Sequence, residues 1–346
     1  MNRYREGMIL LFALLFMGWG GQGQAAPKKR LVLIQSMPVV SVLSHSQHFI
    51  IHLKKQGWIP GKNLDLIILR PLGDAQTTLT QLKEILNSRS VDLVATSGSM
   101  ASVVAFKVLE EYDVPQLFFT VSDPVGAGLI QHAGQPSGSY ISGVINSLSR
   151  SLKLSTAIRL LQWPAKKPLR LGYIYTDYPS SLGDLRALQK AAQSYPGVKL
   201  VPKKIDYRPI PAQLSRLMED AKTAVKQLEA QVDFWWQPLG PLGQLQDFTQ
   251  LLQTRSIRPI LYGTTMEAVK RGALFQINPN SQATGMDAAV KADAILRGQP
   301  AGTLPVVAAS RFDLGVNITT TLQMKTTIPA ELLDLAGEHV YRTLKP

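Results

Sequence analysis

Between Val121 and Leu129 the chain reads Val-Ser-Asp-Pro-Val-Gly-Ala-Gly-Leu. Ser122 brings a hydroxyl and Asp123 a carboxylate. Pro124 and Gly126 shape a turn that leaves backbone donors free. The apolar run Leu117-Phe118-Phe119 ahead of it reads as a strand. A polar turn at the C-terminal end of a buried strand is where open α/β sheets carry their ligand sites. The pattern recurs along the chain. Gln35 and Ser36 end the run from Leu31, and Ser97, Gly98 and Ser99 end the run from Val91. Tyr178, Ser180 and Ser181 follow Arg170–Tyr175, while Trp235, Trp236 and Gln237 close the run from Val232. Gly263, Thr264 and Thr265 follow Pro259–Tyr262. Hydroxyls, amides and helix-start N–H groups gathered this way hold a small polar solute by hydrogen bonds. Each also has a plainer use. Serines cap helices, Asp123 can hold its own turn, and indoles fill cores. Side-chain alternation sends Trp235 and Trp236 to opposite faces, so at most one reaches a cleft, with Trp236 as the candidate.

Chemistry on a bound solute finds little support. His45, His48 and His52 fall near one face of a helix, the spacing of a zinc site. No cysteine or acidic pair completes that set, so partly exposed surface histidines are the expected outcome. Ser122-Asp123 has no histidine partner nearby. Neither a Gly-x-Ser-x-Gly elbow nor a Gly-x-x-x-x-Gly-Lys phosphate loop is present. No catalytic residue, metal or cofactor is expected.

The elements behind these turns alternate. Strands are expected at Leu31–Gln35, Leu64–Leu69, Val91–Thr96 and Leu117–Thr120, with helices at Val42–Gln56, Asp74–Asn87 and Met100–Glu110 between them. The series restarts with strands at Arg170–Tyr175, Lys199–Ile205, Val232–Trp236 and Pro259–Tyr262. Its helices are Ser181–Gln193, Ile210–Ala230 and Leu242–Thr254. Two βα series with apolar strands imply two Rossmann-like α/β lobes, each with a parallel sheet covered on both faces. A tail follows, with a strand at Gly272–Ile277, a helix at Thr284–Arg297 and short strands at Val306–Ala309 and Leu314–Asn317. Such a tail can return to the first lobe and cross again, giving several hinge crossovers.

The 346 residues carry a net charge of +13 and no cysteine. Arg3 and Arg5 precede a ten-residue apolar run, Met8–Met17, and the small residues Gly18–Ala25. This reads as a secretory leader, too short to span a membrane, cleaved after Ala25 or alternatively Ala26. Its removal leaves +12 on about 320 residues, enough to fold without disulfides. Without cysteine the N-terminus cannot carry a lipid. The basic residues are scattered, and the denser groups at Lys28-Lys29-Arg30 and Lys166-Lys167 precede strands, so nucleic acid is not an expected partner.

Several segments carry a resemblance. They include Gly57-Trp58-Ile59-Pro60-Gly61-Lys62-Asn63, Val91–Ala101, the turn from Ser122 to Leu129 and Ser139–Val144. Further on come Lys270–Leu274 and Leu296–Pro300 with Leu304-Pro305-Val306. In this order they resemble the substrate-binding proteins of ABC importers with the type I periplasmic-binding fold, nearest the branch that binds tryptophan and related aromatic amino acids. The resemblance implies a monomeric periplasmic receptor. It would close two lobes on a solute, an aromatic or apolar amino acid among the options, and deliver it to an inner-membrane permease. A sensor or accessory protein that presents the same fold to a membrane partner is the alternative. The family often has an Asp-Asn pair after the second-lobe strand; here Gln237-Pro238 stands there, so the carboxylate for an α-amino group is missing and Asp123 would have to take that role. The implied lobes are 28–148 with 273–305, and 149–272 with 306–346.

Overall fold

The computed structural model describes residues 28–164 and 167–343; the expected leader, 1–25, lies outside them. The first part of the chain forms β1 (Lys29–Gln35), α1 (Val40–Lys55), β2 (Leu64–Leu69), α2 (Ala75–Ser88), β3 (Leu93–Ser97), α3 (Ser99–Leu109), β4 (Gln116–Val121) and β5 (Ile141–Ile145). The middle forms α4 (Arg150–Leu161), β6 (Leu169–Thr176), α5 (Pro179–Ala192), β7 (Val198–Ile205), α6 (Leu214–Leu228), β8 (Phe234–Trp236), α7 (Pro241–Gln244), α8 (Gln246–Arg255), β9 (Ile260–Tyr262), α9 (Met266–Lys270) and β10 (Phe275–Pro279). The rest forms α10 (Ser281–Leu296), β11 (Val307–Ala308), β12 (Phe312–Asn317), α11 (Ile318–Gln323), α12 (Ala330–Ala336) and β13 (Val340–Tyr341). No helix of the described residues is long and apolar enough to cross a membrane.

Two sheets result. The first has the order β11-β5-β4-β3-β1-β2, the second β13-β12-β10-β9-β8-β6-β7. Strand pairs are parallel except β10 with β12, which is antiparallel. Period-two alternation sorts β1. Leu31 and Leu33 pack with Phe49 of α1 and Ala288 of α10, whereas Val32 and Ile34 pack with Leu82 of α2 and Ala105 of α3. Both faces of the strand are therefore dry, which is why it reads as an unbroken apolar run. In the second sheet Leu171 and Tyr173 meet Leu154 and Leu160 of α4, and Ile174 meets Leu217 and Ala221 of α6.

The chain passes between the sheets after β5, after β10 and after β11. The tail differs here from the division expected from sequence. Phe275–Pro279, assigned to the first lobe, pairs with β9 and β12 in the second sheet. Val307-Ala308, assigned to the second lobe, pairs with β5 in the first. Hydrogen-bond partners fix a strand's sheet, and a short apolar strand carries no mark of which sheet it joins.

Other differences have local causes. Ile141–Ile145, where no strand was expected, is a strand between β4 and β11. The sequence reading contained no helix at 150–161, because α4 buries Arg150 and Lys153 on the face where apolar residues would betray it. The helix expected from Ile210 starts at Leu214, after a turn at Ile210-Pro211, and the one expected over 242–254 breaks at the extended Leu245.

Candidate functional site

A cavity of about 220 Å³ lies where the C-terminal ends of both parallel sheets face each other. On the first lobe its wall is the opening of α1 (Val40, Ser41, Ser44, His45), with Thr120 and Ser122 at the end of β4 and Asn146 after β5. On the second, Ser180 comes from the start of α5, Leu239 and Gly240 from the β8–α7 connection, Gln244 from the end of α7, and Thr264, Thr265 and Met266 from the start of α9. Gln276, Asn278 and Pro279 of β10 and Asp313 of β12 close it near the crossings.

His45 is buried, contrary to the surface position expected for it, and its Nδ1 lies 2.8 Å from Thr120 Oγ1. Burial, with the charge of His48 adding, lowers its pKa to about 3, so the ring is neutral at physiological pH. Thr120 has φ of 61°, which a β-branched residue adopts only under constraint, and its Oγ1 also lies 3.0 Å from Ser97 Oγ. Ser97 and His45 together hold this strained strand end. Among the described residues, no group of three or more histidines, cysteines and carboxylates is placed to share a metal ion.

Ser41 Oγ, Ser122 Oγ and Asn146 Oδ1 are buried and have no hydrogen-bond partner within the protein. All three belong to residues lining the cavity. Buried polar atoms are ordinarily paired, and these three orphans stand on the same first-lobe wall of the cavity.

The second-lobe wall rests on a buried polar network. Asp184 accepts from Arg150 Nε at 2.7 Å, Tyr173 OH at 2.6 Å and the Leu239 N–H at 2.9 Å. It thereby fixes the loop that supplies Leu239 and Gly240. Lys153 has no carboxylate. Its Nζ donates to Tyr262 OH at 2.6 Å and Asn278 Oδ1 at 2.7 Å, and Tyr262 OH donates to the same Oδ1 at 2.9 Å. Burial, reinforced by the Arg150 charge, pulls the Lys153 pKa well down. These donors turn the Asn278 amide so that its Nδ2 donates to Thr264 O and Gln276 Oε1.

Of the residues expected at the site, Ser122, Ser180, Thr264 and Thr265 line the cavity. The structure places the others elsewhere. Gln35 Oε1 accepts from Arg70 Nε at 3.0 Å. Gly98 has φ of 107°, and a Cβ there would lie 2.7 Å from Ser36 Cβ, so it lets β3 pass close under the end of β1. Ser99 is buried in the first turn of α3. Asp123 accepts from the Gly126 N–H at 2.8 Å and pairs with Arg186 of the second lobe at 3.5 Å, holding the turn rather than facing the cavity. Tyr178 bridges the lobes, with its OH 2.9 Å from Ser36 Oγ and accepting from the Met100 N–H at 3.4 Å. Burial raises its pKa to about 12, and the Ser36 contact partly offsets this. Ser181 donates to Leu239 O at 3.0 Å. Gln237 is spent on Thr249 Oγ1 and the Thr264 N–H.

Alternation does divide the two indoles, but both enter helix-covered cores. Trp235 Nε1 donates to Ser256 Oγ, and Trp236 stacks on Tyr262 with ring centres 4.5 Å apart. Neither lines the cavity, and no Phe, Tyr or Trp ring does among the described residues. The helix-start residues Ser41, Ser44 and His45 also line the cavity; they were not expected there because α1 read only as an amphipathic cover.

The lobes touch on both sides of the cavity. Tyr207 OH donates to Gly73 O at 3.2 Å beside the Tyr178 ring, and the Ser41 N–H donates to Gln244 Oε1 at 3.1 Å. Two α/β lobes closed over a small cavity, with the chain crossing three times between them, define a type I periplasmic-binding fold built to enclose a solute. The model of the ABC transporter substrate binding protein family matches residues 39–340, and the chain belongs to that family. It is the solute-binding component of an ABC importer, a carrier that partners a membrane permease and performs no catalysis.

A tyrosine-binding protein of Clostridioides difficile is 22% identical over 293 residues, covering 84% of this chain and 79% of the relative. Two solved structures superimpose with a TM-score of 0.75, each covering 92% of this chain and all of the other. One is a conserved domain protein from Vibrio cholerae, 19% identical; the other, 17% identical, is a Streptococcus pneumoniae protein in complex with L-Trp. The ligand-free, open structure of a Clostridium difficile substrate-binding protein with adhesive properties superimposes with a TM-score of 0.62 at 21% identity.

Proposed function

We propose that this receptor carries an amino acid with an apolar or aromatic side chain. On this reading the leader is removed after Ala25, and the protein works as a periplasmic monomer that delivers its cargo to an inner-membrane permease. The observation that carries it is the cavity. Its volume of about 220 Å³ is at the scale of a single amino acid and below the ~300–1,000 Å³ usual for drug-sized ligands. The unpaired Ser41, Ser122 and Asn146 groups are ready for a polar head group. Val40, Leu239, Met266 and Pro279 offer apolar surface for a side chain. The tyrosine-binding relative and the L-Trp complex support the same ligand class. Because no indole lines the cavity, the side chain is held by aliphatic and thioether contacts instead of an aromatic stack. Ser122, Ser180, Thr264 and Thr265 act as direct contacts; Asp123, Tyr178 and Gln237 act through the framework. Closure follows from the solute bridging both walls, since only the closed state makes both sets of contacts.

Thermal unfolding in the presence of the amino acids, sugars, organic acids and nucleosides tests the reading. Hydrophobic amino acids are expected to raise the melting temperature. A rise with sugars or nucleosides alone would refute it.

A further inference from the structure

A zwitterion needs an acceptor for its ammonium group, and the position where the family resemblance leads one to expect a carboxylate holds Gln237-Pro238, with Gln237 buried and fully engaged. Among the described residues lining the cavity none is Lys or Arg, His45 is uncharged, and the single carboxylate is Asp313. Asp313 stands on β12 immediately after the last crossing, opposite Asn278 in the antiparallel register. One of its oxygens, Oδ2, accepts from Asn280 Nδ2 at 2.8 Å, and it forms no ion pair among the described residues. The neighbouring amides do not compete for it: Asn278 Nδ2 is spent on Thr264 and Gln276, and Gln276 Nε2 donates to the Asp313 backbone oxygen. The other acidic groups near the cleft are engaged, Asp123 with Gly126 and Arg186, Asp184 with Arg150 and Tyr173. On the first-lobe wall, Asn146 Oδ1 is an acceptor buried without a donor.

We propose that Asp313 and Asn146 together receive the ammonium group of the solute, Asp313 supplying the countercharge and Asn146 a second acceptor from the first lobe. The assignment rests on the amino-acid reading given above and names the groups that decide it. A solute lacking the amino group leaves the Asn146 acceptor empty and the Asp313 carboxylate with Asn280 alone and no countercharge, a combination that disfavours closure. The site is then specific for amines by penalty as well as by attraction.

Calorimetry on the intact protein tests this with four probes: L-tyrosine, L-tryptophan, 3-(4-hydroxyphenyl)propionate, which is L-tyrosine without its amino group, and tyramine, which is L-tyrosine without its carboxylate. The wild type is expected to favour L-tyrosine or L-tryptophan over the deaminated acid by at least about 30-fold, the scale of a buried charged hydrogen bond. Asp313→Asn keeps the shape and an acceptor for Asn280; it is expected to abolish that preference by weakening the amino acid while leaving the deaminated acid nearly unchanged. Asn146→Ala is expected to reduce the preference in part. Equal losses for both ligands in Asp313→Asn, or no loss, would overturn the assignment. Should that variant not fold, a wild-type preference near one overturns it and a large one together with the Asn146→Ala reduction upholds it. Tyramine separates the two levels of inference. If the wild type binds tyramine but neither amino acid, and Asp313→Asn abolishes this, the amino-acid reading falls and the assignment stands. Binding of none of the four, in a protein whose melting temperature no apolar amino acid raises either, overturns both.

Discussion

His45 gives the cavity wall a group that responds to pH. In an unfolded chain its ring titrates near 6.5, whereas burial beside Thr120 keeps it unprotonated until about pH 3. Between those values the unfolded state binds more protons than the native state, so stability falls as pH drops below 6.5. From pH 7 to pH 5 this single ring costs about 2 kcal/mol. His52, its pKa lowered chiefly by burial and further by Lys55, adds in the same direction over this window, whereas Asp74, Asp177 and Asp233, whose pKa values are lowered, contribute losses only in more acidic solution, below the usual carboxylate range. Urea unfolding at the two pH values is expected to show the decline, and His45→Gln to remove most of it. An unchanged slope in the variant would mean that another group carries the effect. Of the cavity's single residues, the hydroxyls at strand ends were legible: Ser122, Ser180, Thr264 and Thr265 sit where a βα pattern puts them. Asn146 and Asp313 were not, because Asn146 follows β5 and Asp313 lies within β12, strands whose sheet is decided only by tertiary pairing.

Closure brings the first turn of α5 against the Ser122-Asp123 turn, and Gly183 is the point of contact. A Cβ at Gly183 would lie 2.7 Å from Asp123 Oδ2. Ala is the better helix former by about 1 kcal/mol. Gly183→Ala is therefore expected to leave the melting temperature unchanged or raised, while weakening solute binding by about tenfold through one misfitted inter-lobe contact. Calorimetry beside thermal unfolding reads the two effects separately; a parallel fall in both would point to damage within the second lobe. At this scale most of the architecture was readable. Strands such as β1 and β4 are apolar throughout because both faces are covered, and the alternation with helices follows from that. What escaped was α4, whose buried Arg150 and Lys153 break the apolar stripe, and the division of the tail. The charges on α4 hold the cavity wall, so the disguised helix is one the site depends on.

The molecule as a whole rests in a closed arrangement held by contacts between its lobes. Tyr178 is central to them, its ring set against Tyr207 at 4.9 Å and its hydroxyl shared with Ser36 and the Met100 N–H. Tyr178→Phe retains the ring and removes those hydrogen bonds. The solute-free variant is expected to populate more open forms, seen as a larger radius of gyration in X-ray scattering, with the saturated form unchanged. Identical scattering from the two solute-free proteins would show that the hydroxyl does not hold the lobes. The route of the chain between the lobes also governs when each one can form. The sheet made by β1 to β5 has one face roofed by α10, whose Ala288, Ala289 and Ala292 pack with Leu31, Leu33 and Phe49. Its edge strand β11 comes later still. Until the segment beyond residue 280 has been made, that face has α1 but not α10 to cover it, and these long-range contacts close slowly. Although most of its residues are synthesised first, the first lobe is completed almost last, and a chain cut short before α10 is left with an unfinished first sheet as well as a truncated second one.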